Sequence, residues 1–145
     1  MEKFSVEQLK THLLAASAAG PPLAQITAED FFGITDEATV STAIELGGKR
    51  LELWYGQTGE CLTLWLGAGE RRVGAADVRA ALRRFQKTEL GGLLMTESLL
   101  DGSLLFVYTF PMEEGKIVER LRRVFTLAQD AVSGKEFVSL LDCFS

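Results

Sequence analysis

Residues 93–110, Leu-Leu-Met-Thr-Glu-Ser-Leu-Leu-Asp-Gly-Ser-Leu-Leu-Phe-Val-Tyr-Thr-Phe, decide the fold. They read as two strands joined by Asp101-Gly102, because a two-residue turn that follows strand twist needs positive φ, which Gly and Asp tolerate best. In the second strand Leu104, Phe106, Tyr108 and Phe110 point one way and Leu105, Val107 and Thr109 the other, so both faces are mainly apolar. Such a strand needs a helix layer or a partner chain on each side, and Pro111 ends its ladder by removing a donor.

The strands upstream have the same period. Val40, Ile44 and Leu46 share one face of a strand that Gly47-Gly48 turns; Leu51, Leu53 and Tyr55 share a face of the next, and Leu62, Leu64 and Leu66 a face of the third. Trp54 and Trp65 fall on the face away from these leucines, which is therefore covered or used for contact. Before the strands, Ser5 and Gln8 have the form of a capping box opening a helix over 5–18, with Val6, Leu9, Leu13 and Ala16 at helical spacing. Gly20-Pro21-Pro22 stops that helix. Residues 20–37 read as a connector holding one helical turn over 27–32, in which Phe31-Phe32 is a core plug or an exposed docking knob.

A second helix is predicted over 75–88, with Val78, Ala81, Leu82 and Phe85 on its apolar face and Arg79, Arg83 and Lys87 striping the far side. A third, over 114–133, has an apolar face approaching half its cylinder, so it touches the sheet and a second layer, such as helix one or the tail. Gly134 is a credible C-cap. The tail from Phe137 is apolar, and either docks as a last helix or stays sticky. The order is helix, three strands, helix, two strands, helix: an α+β fold in two layers, helices on an antiparallel sheet, in one domain spanning 1–145.

Composition narrows function mainly by exclusion. The net charge of −5 disfavours sequence-independent nucleic-acid binding. Its distribution is uneven: residues 1–70 carry four basic and ten acidic side chains, whereas 71–90 carry six basic and two acidic. The arginine stripe is thus a solvated surface, a dock for an acidic segment or a nucleic-acid contact, which spacing alone does not separate. Apolar runs are too short for a bilayer span, and the N-terminus opens no cleavable signal, so a cytoplasmic location is expected. Cys61 and Cys143 are too few for a disulfide framework. With His12 they offer no paired ligand spacing, so no metal is expected.

Nor is a catalytic set apparent. His12 has no companion, and the connector from Gly67 through Gly69 lacks the third glycine of a dinucleotide loop. Glu29-Asp30 and Glu113-Glu114 sit at predicted helix starts and favour the positive dipole end. Wide apolar faces without reactive groups point to a binding module that is not an enzyme and carries no cofactor, with a small-ligand-binding domain or enzyme using the Gly67–Gly69 connector as the remaining alternative.

The element order, with Asp101-Gly102-Ser103-Leu104-Leu105-Phe106-Val107-Tyr108-Thr109-Phe110-Pro111-Met112, resembles the class I chaperones of bacterial type III secretion, the Tir-chaperone family. In that family a Gly-containing turn leads into an apolar strand, a Pro-marked end and a last helix, here 116–132 with Leu121, Phe125 and Ala128. Residues 75–132 carry the likeness; the first 70 match in element order alone, and the Asn often found near the end of the dimer helix is absent. The YbjN-like family shares the fold and is the alternative, implying a regulatory or interaction protein. The chaperone resemblance implies a cytoplasmic, ATP-independent homodimer that wraps the N-terminal segment of a secreted effector around itself. Amphipathicity then suggests Leu9 and Leu13 with Trp54 and Trp65 as effector grooves. Val78, Leu82 and Phe85 with Phe106 and Tyr108 are the suggested dimer seam, and Arg79, Arg83 and Lys87 a patch for an acidic partner.

Overall fold

The structure is a computed structural model and describes residues 3–28 and 38–144. Ser5 caps helix α1, Val6–Ala16, by the predicted box: its hydroxyl accepts the Gln8 N–H while the Gln8 side chain accepts the Ser5 N–H. A short 3₁₀ turn, Ser17–Ala19, follows. Strands β1 (Thr27–Ala28), β2 (Thr39–Leu46), β3 (Lys49–Thr58) and β4 (Cys61–Ala68) form a meander. Gly47 and Gly48 take φ of 59° and 79° between the paired Leu46 and Lys49, a turn only residues tolerant of the left-handed region can make. Helices α2 (Ala75–Gln86) and α3 (Glu89–Leu93), strands β5 (Met95–Ser98) and β6 (Leu104–Pro111), and helices α4 (Ile117–Ala131) and α5 (Lys135–Leu141) complete the chain.

All six strands join one antiparallel sheet in the order β1-β2-β3-β4-β6-β5, so the fold is α+β as expected. Strand β6 therefore lies inside the sheet, between β4 and β5. The helices cover the face that carries Val40, Ile44, Leu53, Tyr55, Leu64, Leu66 and Phe106, and the buried side chains there form one cluster with Leu9, Leu13, Phe85, Phe125 and Phe137. Helix α4 contacts both α1 and α5, which accounts for its wide apolar face. The tail is docked: Phe137, Leu140 and Leu141 are buried, and Lys49 Nζ donates to the Phe144 carbonyl at 3.2 Å.

Three local expectations are corrected. Thr27 and Ala28 pair with Ser41 and Val40 as a strand instead of opening a helical turn, since β2 offers them open edge groups. The rest of that predicted turn, with Phe31-Phe32 and Glu29-Asp30, lies outside the described residues. Asp101-Gly102 is not a two-residue turn: Ser98 pairs with Leu104, Leu99 N–H donates to the Ser103 carbonyl and Gly102 N–H to that of Leu99. The Asp101 carboxylate accepts from Ser103 N–H at 2.9 Å and its hydroxyl at 2.6 Å, stabilising this wider loop and leaving Leu100 at the tip. Gly134 is the N-cap of α5 and not the C-cap of α4, which ends on Val132.

Candidate functional site

Between α2 and the β5–β6 loop runs a groove of about 550 Å³. One wall is helical: Ala75, Val78, Arg79 and Leu82 recur at the three- and four-residue spacing that keeps them on one flank of α2. The other wall is the segment from Ser98 to Gly102, and Phe144 closes the end. Val78 is nearly buried, Leu82 half-buried and Leu100 fully exposed. Arg71 pairs with Phe144 as an isolated bridge, and Arg72 N–H donates to the Cys143 carbonyl at 2.7 Å, so the approach to α2 is held against the tail. Burial, with Asp77 and Asp142 adding negative charge, pushes the Cys143 thiol up from its ordinary range and keeps it a thiol. Ser103 holds the exposed Asp101 carboxyl below the ordinary carboxylate value by stabilising its ionised form.

Of the suggested seam residues, only Val78 and Leu82 line this groove. Phe85 and Phe106 are 0% and 1% exposed, packed edge-on at 5.5 Å and both against Phe137, so they belong to the core and are not available to a partner. The single apolar face predicted for α2 is wide enough to divide, its Ala81 and Phe85 side facing inward and its Val78 and Leu82 side facing the groove. Tyr108 is half-buried with its ring 5.3 Å from that of Phe110. Arg79, Arg83 and Lys87 are all exposed.

The effector groove suggested for Leu9 and Leu13 with Trp54 and Trp65 does not form. Both leucines are fully buried in the main core, because α1 lies on β2 and α4 with that face inward. The tryptophans stand on the opposite face of the sheet, as the period of two requires. They pair directly across β3 and β4, and the row continues through Ser41, Val107 and Met95. The Trp54 ring lies over Gly67, where a Cβ would come 2.9 Å from the ring. Gly67 is thus a strand residue flattened under an indole, which gives this glycine a packing role.

A second hollow, of about 470 Å³, is lined by Phe4, His12, Met112, Glu114, Gly115, Ile117 and Val118. His12 Nδ1 and the buried Tyr55 hydroxyl share a hydrogen bond of 3.0 Å, and Phe4 packs edge-on against the imidazole at 5.0 Å. Burial lowers the His12 pKa and raises that of Tyr55, so both groups are held neutral near pH 7. This polar pair escaped sequence reasoning. The available signal was Tyr55 in a core-facing row, since a buried hydroxyl requires a partner.

Among the described residues no group of three or more His, Cys, Asp or Glu side chains is placed to hold a metal ion, and no helix is long and apolar enough to cross a membrane. The chain matches no protein-family model, no curated protein and no solved structure. The groove beside α2 combines the apolar Val78, Leu82 and Leu100 with the charged Glu70, Arg71, Arg79 and Asp101, and reaches Ser98 at the end of the edge strand β5.

Proposed function

We propose that the protein is a non-enzymatic module that binds an extended segment of another polypeptide, in the manner of the class I secretion chaperones. In this reading it is a cytoplasmic homodimer that holds the N-terminal segment of a secreted effector unfolded and ready for export, using no cofactor. One observation carries the proposal: the groove that holds Val78, Leu82 and Leu100 opens at Ser98, the end of β5, a sheet edge whose Met95 is 75% exposed. An incoming strand can satisfy its backbone on β5 while its side chains enter the groove, so backbone pairing supplies affinity and the groove supplies selectivity. Ordering a flexible segment costs conformational entropy, which burial of its apolar side chains must exceed.

The test begins with tagged protein recovered from its native host and the co-purifying client identified by mass spectrometry. The client's isolated N-terminal segment is then mixed with the purified protein. Binding of that segment, its protection from protease along an extended stretch, and a dimer mass by light scattering are the expected results. A strictly monomeric protein, or a client captured only as a folded domain, refutes the chaperone reading.

A further inference from the structure

The cations of this protein are not distributed like its anions, and the imbalance falls on the groove. Among the described residues, ion pairs occupy Lys10, Arg50, Lys116, Arg120 and Arg123, while Lys49 and Arg122 donate to main-chain carbonyls. The side chains of Lys3, Arg71, Arg72, Arg79, Arg83, Arg84, Lys87 and Lys135 enter no ion pair among those residues; all eight are exposed in a chain of net charge −5, and six of them fall between residues 71 and 87. Arg71 and Arg79 line the groove itself, together with Glu70 and Asp101. The nearby Asp101 carboxylate is already engaged by Ser103. Val78, Leu82 and Leu100 therefore share the groove with two acids and two bases, while the surrounding stretch 70–90 carries six basic and three acidic side chains in a chain of net charge −5.

A second copy of the chain fits this surface poorly. A two-fold contact brings the same patch from both partners into one interface, so the unpaired cations of two α2 helices would be gathered together, and like charges brought together across an interface oppose association. Nucleic acid fits poorly as well: among the described residues the groove offers aliphatic side chains for a ligand to lie on and no exposed aromatic platform, and the net charge of the whole chain repels a polyanion. Resting on the polypeptide-binding reading above, we propose that the groove between α2 and the β5–β6 loop docks an acidic, apolar segment of a different polypeptide. Its aliphatic side chains lie on Leu82 and Leu100, and its carboxylates meet Arg79 and Arg71.

Three synthetic peptides of equal length test the assignment by fluorescence anisotropy: one patterned with Leu and Glu, one with Leu and Lys, one with Ser and Glu. The Leu/Glu peptide is expected to bind at least about tenfold more tightly than either other peptide at low salt, and to weaken as salt is raised. Arg79→Glu combined with Arg83→Glu, both at exposed positions, should reverse the preference towards Leu/Lys; Leu82→Glu should abolish Leu/Glu binding and leave the light-scattering mass unchanged. Circular dichroism on each variant verifies the fold. Equal binding of Leu/Lys, sensitive to Leu82, overturns the acidic chemistry while sparing the polypeptide-binding reading. A mass halved by Leu82→Glu makes the groove the seam between copies and overturns the proposal. Displacement of the Leu/Glu peptide by a single-stranded oligonucleotide overturns it in favour of a nucleic-acid surface. A native client that binds the Leu82→Glu variant unimpaired also overturns it, with the chaperone reading intact.

Discussion

Leu13 and Leu14 are neighbours on one helix with opposite surroundings, and truncating each to Ala separates a core role from a groove role for α1. Leu13 is 0% exposed and Leu14 58% exposed. Leu13→Ala removes an isopropyl group from the core, and at about 0.8 kcal/mol per buried carbon the transfer term is about 2.4 kcal/mol. A residual void of about 40 Å³ adds about 1 kcal/mol at about 24 cal/mol per Å³, so the expected loss is about 3.5 kcal/mol. In a domain of this length that lowers the melting temperature by about 10–15 °C. Leu14→Ala should stay within about 0.5 kcal/mol of the parent, because a surface position loses little area and Ala favours the helix. Equilibrium urea unfolding, followed by far-ultraviolet circular dichroism, measures both. A loss below about 1 kcal/mol for Leu13→Ala, or an equal loss for the two variants, refutes the orientation of α1 and returns Leu9 and Leu13 to the surface.

Gly91→Ala should cost at least about 1–3 kcal/mol, since its Cβ would overlap the Phe85 carbonyl oxygen and sit 2.8 Å from Gln86 Cα, where backbone cannot swing aside. Gly92→Ala next to it meets nothing within 4 Å and should be neutral or stabilising, so equal thermal shifts for the pair would refute this packing of α3 on α2. The lowered His12 pKa makes the unfolded chain take up its proton first. The associated stability is therefore present above about pH 6.5 and is lost as pH falls through the depressed folded value. The raised Tyr55 pKa acts at the other limit, its contribution being present below about pH 10 and lost above it as the unfolded phenol ionises. His12→Gln keeps a group that can bond the Tyr55 hydroxyl but does not titrate, and should flatten the acid side of a melting-temperature profile; an unchanged profile would assign that slope to other groups.

Much of the fold was legible because its signals are local. The Ser5–Gln8 box, the apolar alternation of β3 and β4, and the Gly47-Gly48 turn are each decided within a few residues, and the structure realises them all. Sequence period also placed Trp54 and Trp65 correctly across the sheet from the leucines. What failed depended on contacts distant in the chain. Amphipathicity marks which side of α1 is apolar, yet cannot say that α4 will cover it, so Leu9 and Leu13 read equally well as groove or core. Phe85 and Phe106 looked like seam residues for the same reason, their cover being Phe137 from a tail whose docking the sequence left open. The groove was half legible: Val78, Leu82 and the arginine stripe were marked on α2, but its second wall follows from the wider Leu99–Ser103 loop, which Asp101 stabilises through Ser103.

The position of β6 between β4 and β5 has a consequence for how the chain is made. Strands β2, β3 and β4 can close on one another as soon as they leave the ribosome, but the outer rim of β4 must wait until Leu104–Pro111 has been synthesised and inserted. Throughout that interval Leu62, Leu64 and Leu66 belong to a sheet with an unsealed margin, the kind of surface on which nascent copies mispair. Helices α2 and α3 emerge during the wait, so Ala81, Phe85 and Leu90, all buried in the finished core, are made before the strand that closes the sheet over them.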